Sequence, residues 1–238
     1  MPDHPPQTFP QLLDQLLRGD PGRPVVTFYD HASDERVELS VTTYANWVAK
    51  TASLLAEELS LDRGSQVCVD LPVHWLGPVF AGAAWMIGAR VTSRPVADAY
   101  VCGPDALPSR VGAEPTLACS LLPLAARFAA PLPAGVLDFG VEVWGQPDVF
   151  VPWDPPTLDD PATDGRRQRD LFRAPGTHGP RILSQLPTIS PDGLDQLVTA
   201  LVTGGSLVLL ANGDPDRIPR LCAEERITDD SGGPSNVQ

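Results

Sequence analysis

The chain has 238 residues, enough for one large domain or two small ones, and its apolar fraction of 42% is typical of a protein with a buried core. Its formal net charge of -13 would repel a phosphate backbone, which argues against nucleic acid as a partner. The longest nearly uncharged apolar stretch, residues 79–89, is too short to cross a bilayer, and the N-terminal residues lack the pattern of a signal peptide. We therefore expect a cytoplasmic protein without a membrane partner.

The cysteines and histidines show no spacing that indicates a metal site. No C-x-x-C pair occurs and the histidines are scattered, so no zinc pattern forms. Three of the cysteines lie in apolar, strand-like runs, which favours buried, reduced thiols. We expect no metal and no resident cofactor. The residues concerned are Cys68, Cys102, Cys119, Cys222, His4, His31, His74 and His178.

The first half begins with an amphipathic helix and a hairpin, and then alternates between helices and strands. Ser40 or Thr42 caps the second helix, which ends before the turn at Gly64. Pro72 ends the next strand, and the helix that follows is apolar on all faces, so it is predicted to be buried. The predicted helices lie at residues 8–18, 42–60, 76–88 and 135–145. The predicted strands lie at residues 25–30, 36–40, 66–71, 91–95, 98–102 and 116–121.

Residues 145–165 contain five prolines and five aspartates, so little regular structure is expected. Such an aspartate cluster could hold a hard cation, but the prolines separate the carboxylates, and a solvated linker is favoured. The chain is accordingly divided into a first α/β subdomain at 1–150, a linker at 151–165, a second α/β subdomain at 166–228 and a flexible tail at 229–238.

The second half predicts a short basic helix, a turn, and then strand, helix, strand and helix. Ser190 is the expected N-cap of the first long helix, Pro191 occupies its first position, and Gly204-Gly205 ends it. The predicted helices lie at residues 166–173, 191–203 and 215–225. The predicted strands lie at residues 181–186 and 206–210.

The two halves contain a related pattern of turn, strand, Leu-Pro, helix, glycine and strand. Leu71-Pro72 aligns with Leu186-Pro187, and Gly88 aligns with the Gly204-Gly205 pair. Two such strand–helix–strand units predict an α/β fold with a doubly wound, mainly parallel sheet. We expect the strands at 66–71 and 181–186 to lie parallel in one sheet, with any ligand beyond their carboxyl ends, at the two Leu-Pro turns.

These motifs resemble the N-terminal large domain of the AMP-forming (adenylate-forming) ligases, which include acyl-CoA synthetases, luciferases and peptide-synthetase adenylation domains. The first half is similar to that family's stretch from an L-T-Y helix to a G-A-V strand. In the second half, Leu186, Pro187, Gly193 and Leu194 match the pattern L-P-x-x-H-x-x-G-L. The resemblance implies the family's fold, and a short, uncharacterised family that looks like truncated ligases fits best.

The chemistry of that family depends on residues that this sequence does not match. Its phosphate loop, S-G-T-T-G-x-P-K, is echoed only by residues 175–181, where Pro175 replaces the serine and His178 the second threonine, so an ordinary turn is favoured. The chain ends after the segment at 225–228, before the ribose-binding aspartate and the domain that supplies the adenylation lysine. Lys50, the one lysine, matches no catalytic position. We expect no adenylation by this chain alone.

No residue is predicted to be catalytic, and two groups are candidates for binding. The first group follows the resemblance to the ligase site, although a buried aromatic anchor is the favoured role of Trp75 and helix capping that of Ser190. The second group is a basic stretch that is either a solvated helix face or a weak site for a nucleotide, coenzyme A or an acidic surface. The candidate ligand residues are His74, Trp75, Thr177, His178, Arg181 and Ser190. The candidate anion or partner patch comprises Arg166, Arg167, Arg169 and Arg173.

Three functional hypotheses remain open from the sequence. The leading one is a non-catalytic protein of ligase ancestry that acts as a binding or interaction module, with a protein partner or a second copy of itself. The alternative is one subunit of a split adenylate-forming enzyme that a second chain completes. A third is an enzyme with unrelated chemistry at the ends of the sheet strands.

Overall fold

The structure is a computed structural model that describes residues 5, 7–110 and 115–232. In this part of the chain the long helices lie where the apolar periodicity predicts them. The strands are β1 (Pro24–Asp30), β2 (Glu35–Ser40), β3 (Gln66–Asp70), β4 (Arg90–Thr92), β5 (Ala99–Cys102), β6 (Thr116–Ala118), β7 (Val136–Asp138), β8 (Pro161–Thr163), β9 (Arg166–Arg167), β10 (Arg181–Ser184), β11 (Ser206–Ala211) and β12 (Asp229–Gly232). The helices are α1 (Phe9–Gly19), α2 (Val41–Glu57), α3 (Leu76–Met86), α4 (Phe139–Glu142), α5 (Gln168–Leu171), α6 (Pro191–Thr203) and α7 (Ile218–Glu224).

The described strands form two five-stranded sheets and a small hairpin. Sheet 1 has the order β12-β10-β11-β1-β2, in which only β2 runs antiparallel to its neighbour. Sheet 2 has the order β4-β3-β5-β6-β7 and is parallel throughout. The hairpin is β8-β9. The predicted α/β class with doubly wound parallel strands is therefore confirmed.

Sheet 1 is covered by helices on both faces. Alternate residues of β11 point to opposite faces of the sheet, so each face presents its own apolar side chains to a helix. Leu207 and Leu209 join the main core together with Leu201 of α6. Val208 and Leu210 instead pack with Leu221 of α7 in a smaller cluster on the other face. The connection from β10 to β11 through α6 and the connection from β11 to β12 through α7 thus lead away from the sheet on opposite sides.

The predicted helix ends are confirmed by their hydrogen bonds and backbone angles. The hydroxyls of Ser40 and Ser190 accept from the third backbone N–H of α2 and α6, respectively. Gly88 and Gly204 have φ of 74° after α3 and α6, a conformation that favours glycine. Helix α3 is buried along its whole length, as its apolar run predicts.

One topological prediction was wrong: β3 and β10 do not share a sheet. The hairpin β1-β2 supplies the neighbour of β11 in sheet 1, whereas β5, β6 and β7 extend the sheet that contains β3. A strand–helix–strand unit fixes only the pairing of its own two strands, so the repeat in the sequence did not determine whether both units would join. Sheet membership also does not follow the predicted division at residue 150, because β1 and β2 pair with the later half.

Further corrections concern short segments. Residues 136–138 form a strand rather than the start of a helix, and the basic segment from 166 divides into β9 and the four-residue α5. The end of the predicted linker is packed, since the carbonyl of Ala162 in β8 accepts from Trp85 Nε1 at 2.8 Å. Residues 229–232 of the predicted tail form β12, while 233–238 and His4 lie outside the described residues. Within the described ranges no helix is long and apolar enough to cross a membrane.

Candidate functional site

A cavity of about 330 Å³ lies where the carboxyl ends of the strands of both sheets meet. Sheet 1 contributes the ends of β1, β10 and β11 and the start of β2, and sheet 2 contributes the turn after β3 and a residue after β6. Its wall consists of Phe28, Asp30, Glu35, Pro72, Val73, His74, Leu121, Gln185, Leu210, Ala211, Asn212 and Gly213.

The position of the cavity follows from the winding of sheet 1. After β10 the chain crosses to one face of the sheet, and after β11 it crosses to the other, which opens a crevice between the two strand ends. Gln185 directly follows β10, and Asn212 and Gly213 directly follow β11. The expectation that a site would lie beyond the carboxyl ends agrees with this cavity, although only the first Leu-Pro turn contributes its proline to the wall.

His74 closes the inner side of the cavity. The residue is only 3% exposed, and its ring lies against Phe28 with ring centroids 4.9 Å apart. The backbone N–H of Leu76 donates to its Nδ1 at 3.3 Å, which assigns the proton of the neutral ring to Nε2. Burial lowers the pKa of His74 to about 4, against an opposing effect of Asp30, so the ring is neutral at pH 7. Nε2 is buried and has no hydrogen-bond partner in the described part of the chain.

Two carboxylates of the wall, Asp30 and Glu35, differ in how they are bound. Asp30 accepts from Asn212 Nδ2 at 2.7 Å, from the backbone of Ala32 at 2.9 Å and from the Ser33 hydroxyl at 2.7 Å. Burial alone would raise the pKa of Asp30, but these hydrogen bonds outweigh it and lower the pKa. Burial and the neighbouring Asp30 raise the pKa of Glu35, whose Oε1 is buried without a partner among the described residues.

The predicted ligand residues do not come together. His74 lines the cavity, but Trp75, 1% exposed, turns into the core and packs against Trp47 with ring centroids 5.0 Å apart. Ser190 caps α6, accepting from Gly193 at 3.1 Å and donating to the carbonyl of Pro187 at 2.8 Å, which matches its favoured structural role. Neither Trp75 nor Ser190 is part of the cavity wall.

Thr177, His178 and Arg181 lie at the opposite, amino end of β10. Arg181 donates to Ser206 of β11 at 2.8 Å and to Thr27 of β1 at 3.1 Å, and it forms an ion pair with Glu225 just after α7. Burial would raise the pKa of Glu225, but hydrogen bonds from Tyr29 and Arg181 outweigh it and lower the pKa. The guanidinium of Arg181 thus joins three strands to a helix.

The segment that echoes a phosphate loop is packed against the end of α6. The backbone N–H of Gly176 donates to the carbonyl of Val202 at 3.0 Å, and the N–H of Ser206 donates to the carbonyl of Pro180 at 3.0 Å. A Cβ added at Gly179 would lie 2.0 Å from Thr203 Oγ1, so the glycine is required by this close approach. The glycines of this turn are therefore explained by packing.

Three arginines of the predicted anion patch are engaged in ion pairs. Arg166 lies 2.5 Å from Asp195, Arg167 lies 3.0 Å from Asp159, and Arg169 pairs with the same Asp159. These carboxylates offset much of the positive charge that an anion would meet. Anion binding there stays a prediction.

Glu35, Gln185 and Asn212 were not predicted as site residues. Gln185 and Asn212 could have been found from the rule that ligands bind after parallel strands, because each follows a buried strand. Glu35 could not, since its place depends on β1 pairing with β11 across the chain. In the described ranges, no group of three or more histidines, cysteines or acidic residues is placed to hold a metal ion.

Comparison with known proteins gives a relative and a set of similar structures, although no protein-family model matches the chain. The relative is the "TIGR03089 family protein" of Mycobacterium tuberculosis (strain ATCC 25618 / H37Rv), which is 37% identical over 234 residues, 91% of this chain and 95% of the relative. The chain belongs to the TIGR03089 family.

The fold of this TIGR03089 family member is that of the AMP-forming ligases. Coronafacic acid ligase from Pectobacterium brasiliense superposes with a TM-score of 0.72 at 15% identity, over 93% of this chain and 49% of that structure. An acyl-CoA synthetase from Brucella canis gives 0.73 at 15% identity, over 92% and 46%. The chain thus spans about half the length of these ligases. The resemblance is confirmed at the level of fold, and the separation of β3 and β10 into two sheets does not exclude it.

Proposed function

We propose that this protein is a binding module with the fold of the ligase N-terminal domain, and that it does not itself activate a carboxylate. The observation that carries this proposal is the tight packing of residues 175–181 on the end of α6. A phosphate loop needs free backbone amides that converge on the phosphates. Here the amide of Gly176 is already bound to Val202, and the turn lies at the amino end of β10, away from the cavity.

The state of Lys50 also supports a non-catalytic role. Its ammonium donates to the carbonyl of Gln146 at 2.6 Å and lies 3.1 Å from Asp148, so it fastens α2 to the start of the proline-rich segment. A lysine held in this way is not placed to neutralise a developing phosphate charge.

The experiment is ATP–pyrophosphate exchange with the purified chain and a panel of acyl and amino acids. We expect no exchange above the level of a buffer blank. Exchange that the chain catalyses reproducibly, and that a point substitution in the chain abolishes, would overturn the proposal.

The alternative, a subunit of a split adenylate-forming enzyme, is favoured by one surface. Apolar side chains are exposed between residues 141 and 153, where Trp144 is 55% exposed and Trp153 is fully exposed. Exposed apolar groups in one region indicate a protein contact. Exchange activity that appears only after addition of a second chain, encoded nearby and bearing a ligase lysine motif, would favour this alternative.

Weak binding of a nucleotide or coenzyme A at the anion patch, in a cytoplasmic protein, remains a further proposal. It would depend on the arginines exchanging their carboxylate partners for phosphate, and it would weaken as salt is added. Calorimetry of the wild type against an Arg167→Ala/Arg169→Ala variant distinguishes it from an inert surface, since identical heats would exclude a contribution of the patch.

A further inference from the structure

The cavity at the strand ends differs from three other cavities of the described chain in the state of its polar atoms. Glu35 Oε1 and His74 Nε2, both buried and without a hydrogen-bond partner among the described residues, belong to residues of its wall. No such atom belongs to the wall residues of the others, of which the largest measures about 620 Å³. Buried polar groups are nearly always hydrogen-bonded, so two unpaired groups on one wall indicate a ligand that pairs with them.

The two unpaired atoms have opposite hydrogen-bonding roles. Only 3% of His74 is exposed, and its Nδ1 already accepts from Leu76, so Nε2 of this wall residue carries an unpaired N–H. Glu35 offers a carboxylate oxygen. A ligand that satisfies both must therefore carry an acceptor and a donor.

The charge of the wall selects against anions. Asp30 and Glu35 are both acidic, whereas no lysine or arginine is among the wall residues. A carboxylate or phosphate would meet two like charges without a compensating cation. The apolar part of the wall, including Phe28, Val73 and Leu121, suits a ring or a short aliphatic body.

We propose that this cavity binds a compact, uncharged molecule with an apolar body and a carboxamide-type head. The carbonyl of the head accepts from His74 Nε2–H, and its N–H donates to Glu35. The proposal rests on the proposed binding role, and it makes the ligand of this cavity chemically distinct both from nucleotides and from the carboxylates that ligases activate. The volume of about 330 Å³ is at the lower end of small-molecule sites, which fits a single ring with its head group.

The test is a titration of the full chain, followed by two-dimensional amide NMR, with benzamide and with benzoate as an anionic probe of the same size. For fragments of this size we expect a dissociation constant for benzamide on the order of 1 mM. Benzoate should bind about tenfold more weakly or not at all. The changes in amide chemical shift should be largest for the residues that directly follow β1, β10 and β11.

Three variants locate the binding. His74→Phe removes the N–H donor, and Glu35→Gln removes the negative charge of a partly exposed side chain. Each variant should weaken benzamide binding about fivefold. Glu35→Gln should also reduce the difference in affinity between benzamide and benzoate. His178→Phe, at an exposed histidine at the other end of β10, is the matched control and should leave binding unchanged. If His74→Phe does not fold, Glu35→Gln alone still tests the proposal.

Absence of benzamide binding at concentrations far above the expected constant would overturn the inference, as would equal affinity for benzoate or indifference to both cavity variants. Exchange activity is measured separately. A chain that binds benzamide and also catalyses ATP–pyrophosphate exchange would refute the proposed function while leaving this site in place, whereas a chain that does neither would refute only the site.

Discussion

The two Leu-Pro turns follow equivalent strands in the sequence repeat, yet they begin their helices differently. In the turn after β10, Ser190 both accepts from Gly193 and donates to Pro187 before α6 begins, while the buried Oγ1 of Thr188 has no partner among the described residues. The turn after β3 has no such cap. His74 takes one backbone N–H and leaves its second ring nitrogen unpaired at the cavity. Each turn thus keeps an unpaired buried polar group, but only the second has a side-chain cap and only His74 of the first belongs to the cavity wall.

The two units also differ in how their ends are bonded. The second unit is closed at both ends, by Ser190 at its carboxyl end and by the glycines of residues 176–179 at its amino end. The first unit lacks the side-chain cap, but its amino end is closed by backbone hydrogen bonds from Gly64 to Gly88 at 3.0 Å and from Arg90 to Ser65 at 2.8 Å. Two substitutions and a change of pH test this difference.

The largest effect is expected at Gly204, where the second unit is most tightly closed. Gly204→Ala would place a Cβ 2.1 Å from the carbonyl oxygen of Gly176 at a backbone φ of 74°. We expect a loss of about 3 kcal/mol in the free energy of unfolding, measured by urea denaturation. Gly145→Ala is the control, because nothing lies within 4 Å of its Cβ. Equal stability of the two variants would show that the turn is looser than described.

An effect of comparable size is expected from acid, and it belongs to the first unit. The pKa of His74 is about 4 in the folded chain and about 6.5 when unfolded, so the unfolded chain binds the proton first as the pH falls. The stability that depends on a neutral His74 is present above pH 6.5 and is lost progressively towards pH 4, by roughly 3 kcal/mol. Thermal unfolding across this range should show a steeper loss for the wild type than for His74→Phe. Parallel curves would mean that His74 is solvated.

The smallest effect is expected at the capped turn itself. Ser190→Ala removes the acceptor for the N–H of Gly193 and should cost about 1 kcal/mol, as other N-cap replacements do. Ser40→Ala, at the start of α2, provides a matched cap and should cost a similar amount. A much larger loss at Ser190 alone would indicate a role beyond capping, contrary to the comparison of the two turns.

Local features of the fold could be predicted from the sequence, and long-range ones could not. The caps at Ser40 and Ser190 and the glycine at 204 act on their own helices, so their neighbours in the chain determine them. The separation of β3 from β10 depends on which strand reaches the edge of β11, and that place is taken by β1, far away in sequence. Glu35 enters the cavity through the same pairing, so the site was harder to predict than the elements that form it.

The contact between residues 176–179 and 204–205 also limits how this protein can change. Both sides of the contact are backbone, and the approach leaves no space for even a methyl group. A longer turn, with the free amides that phosphate binding requires, would need the end of α6 to withdraw from β10 first. The steric constraint therefore couples the length of this turn to the position of the end of α6.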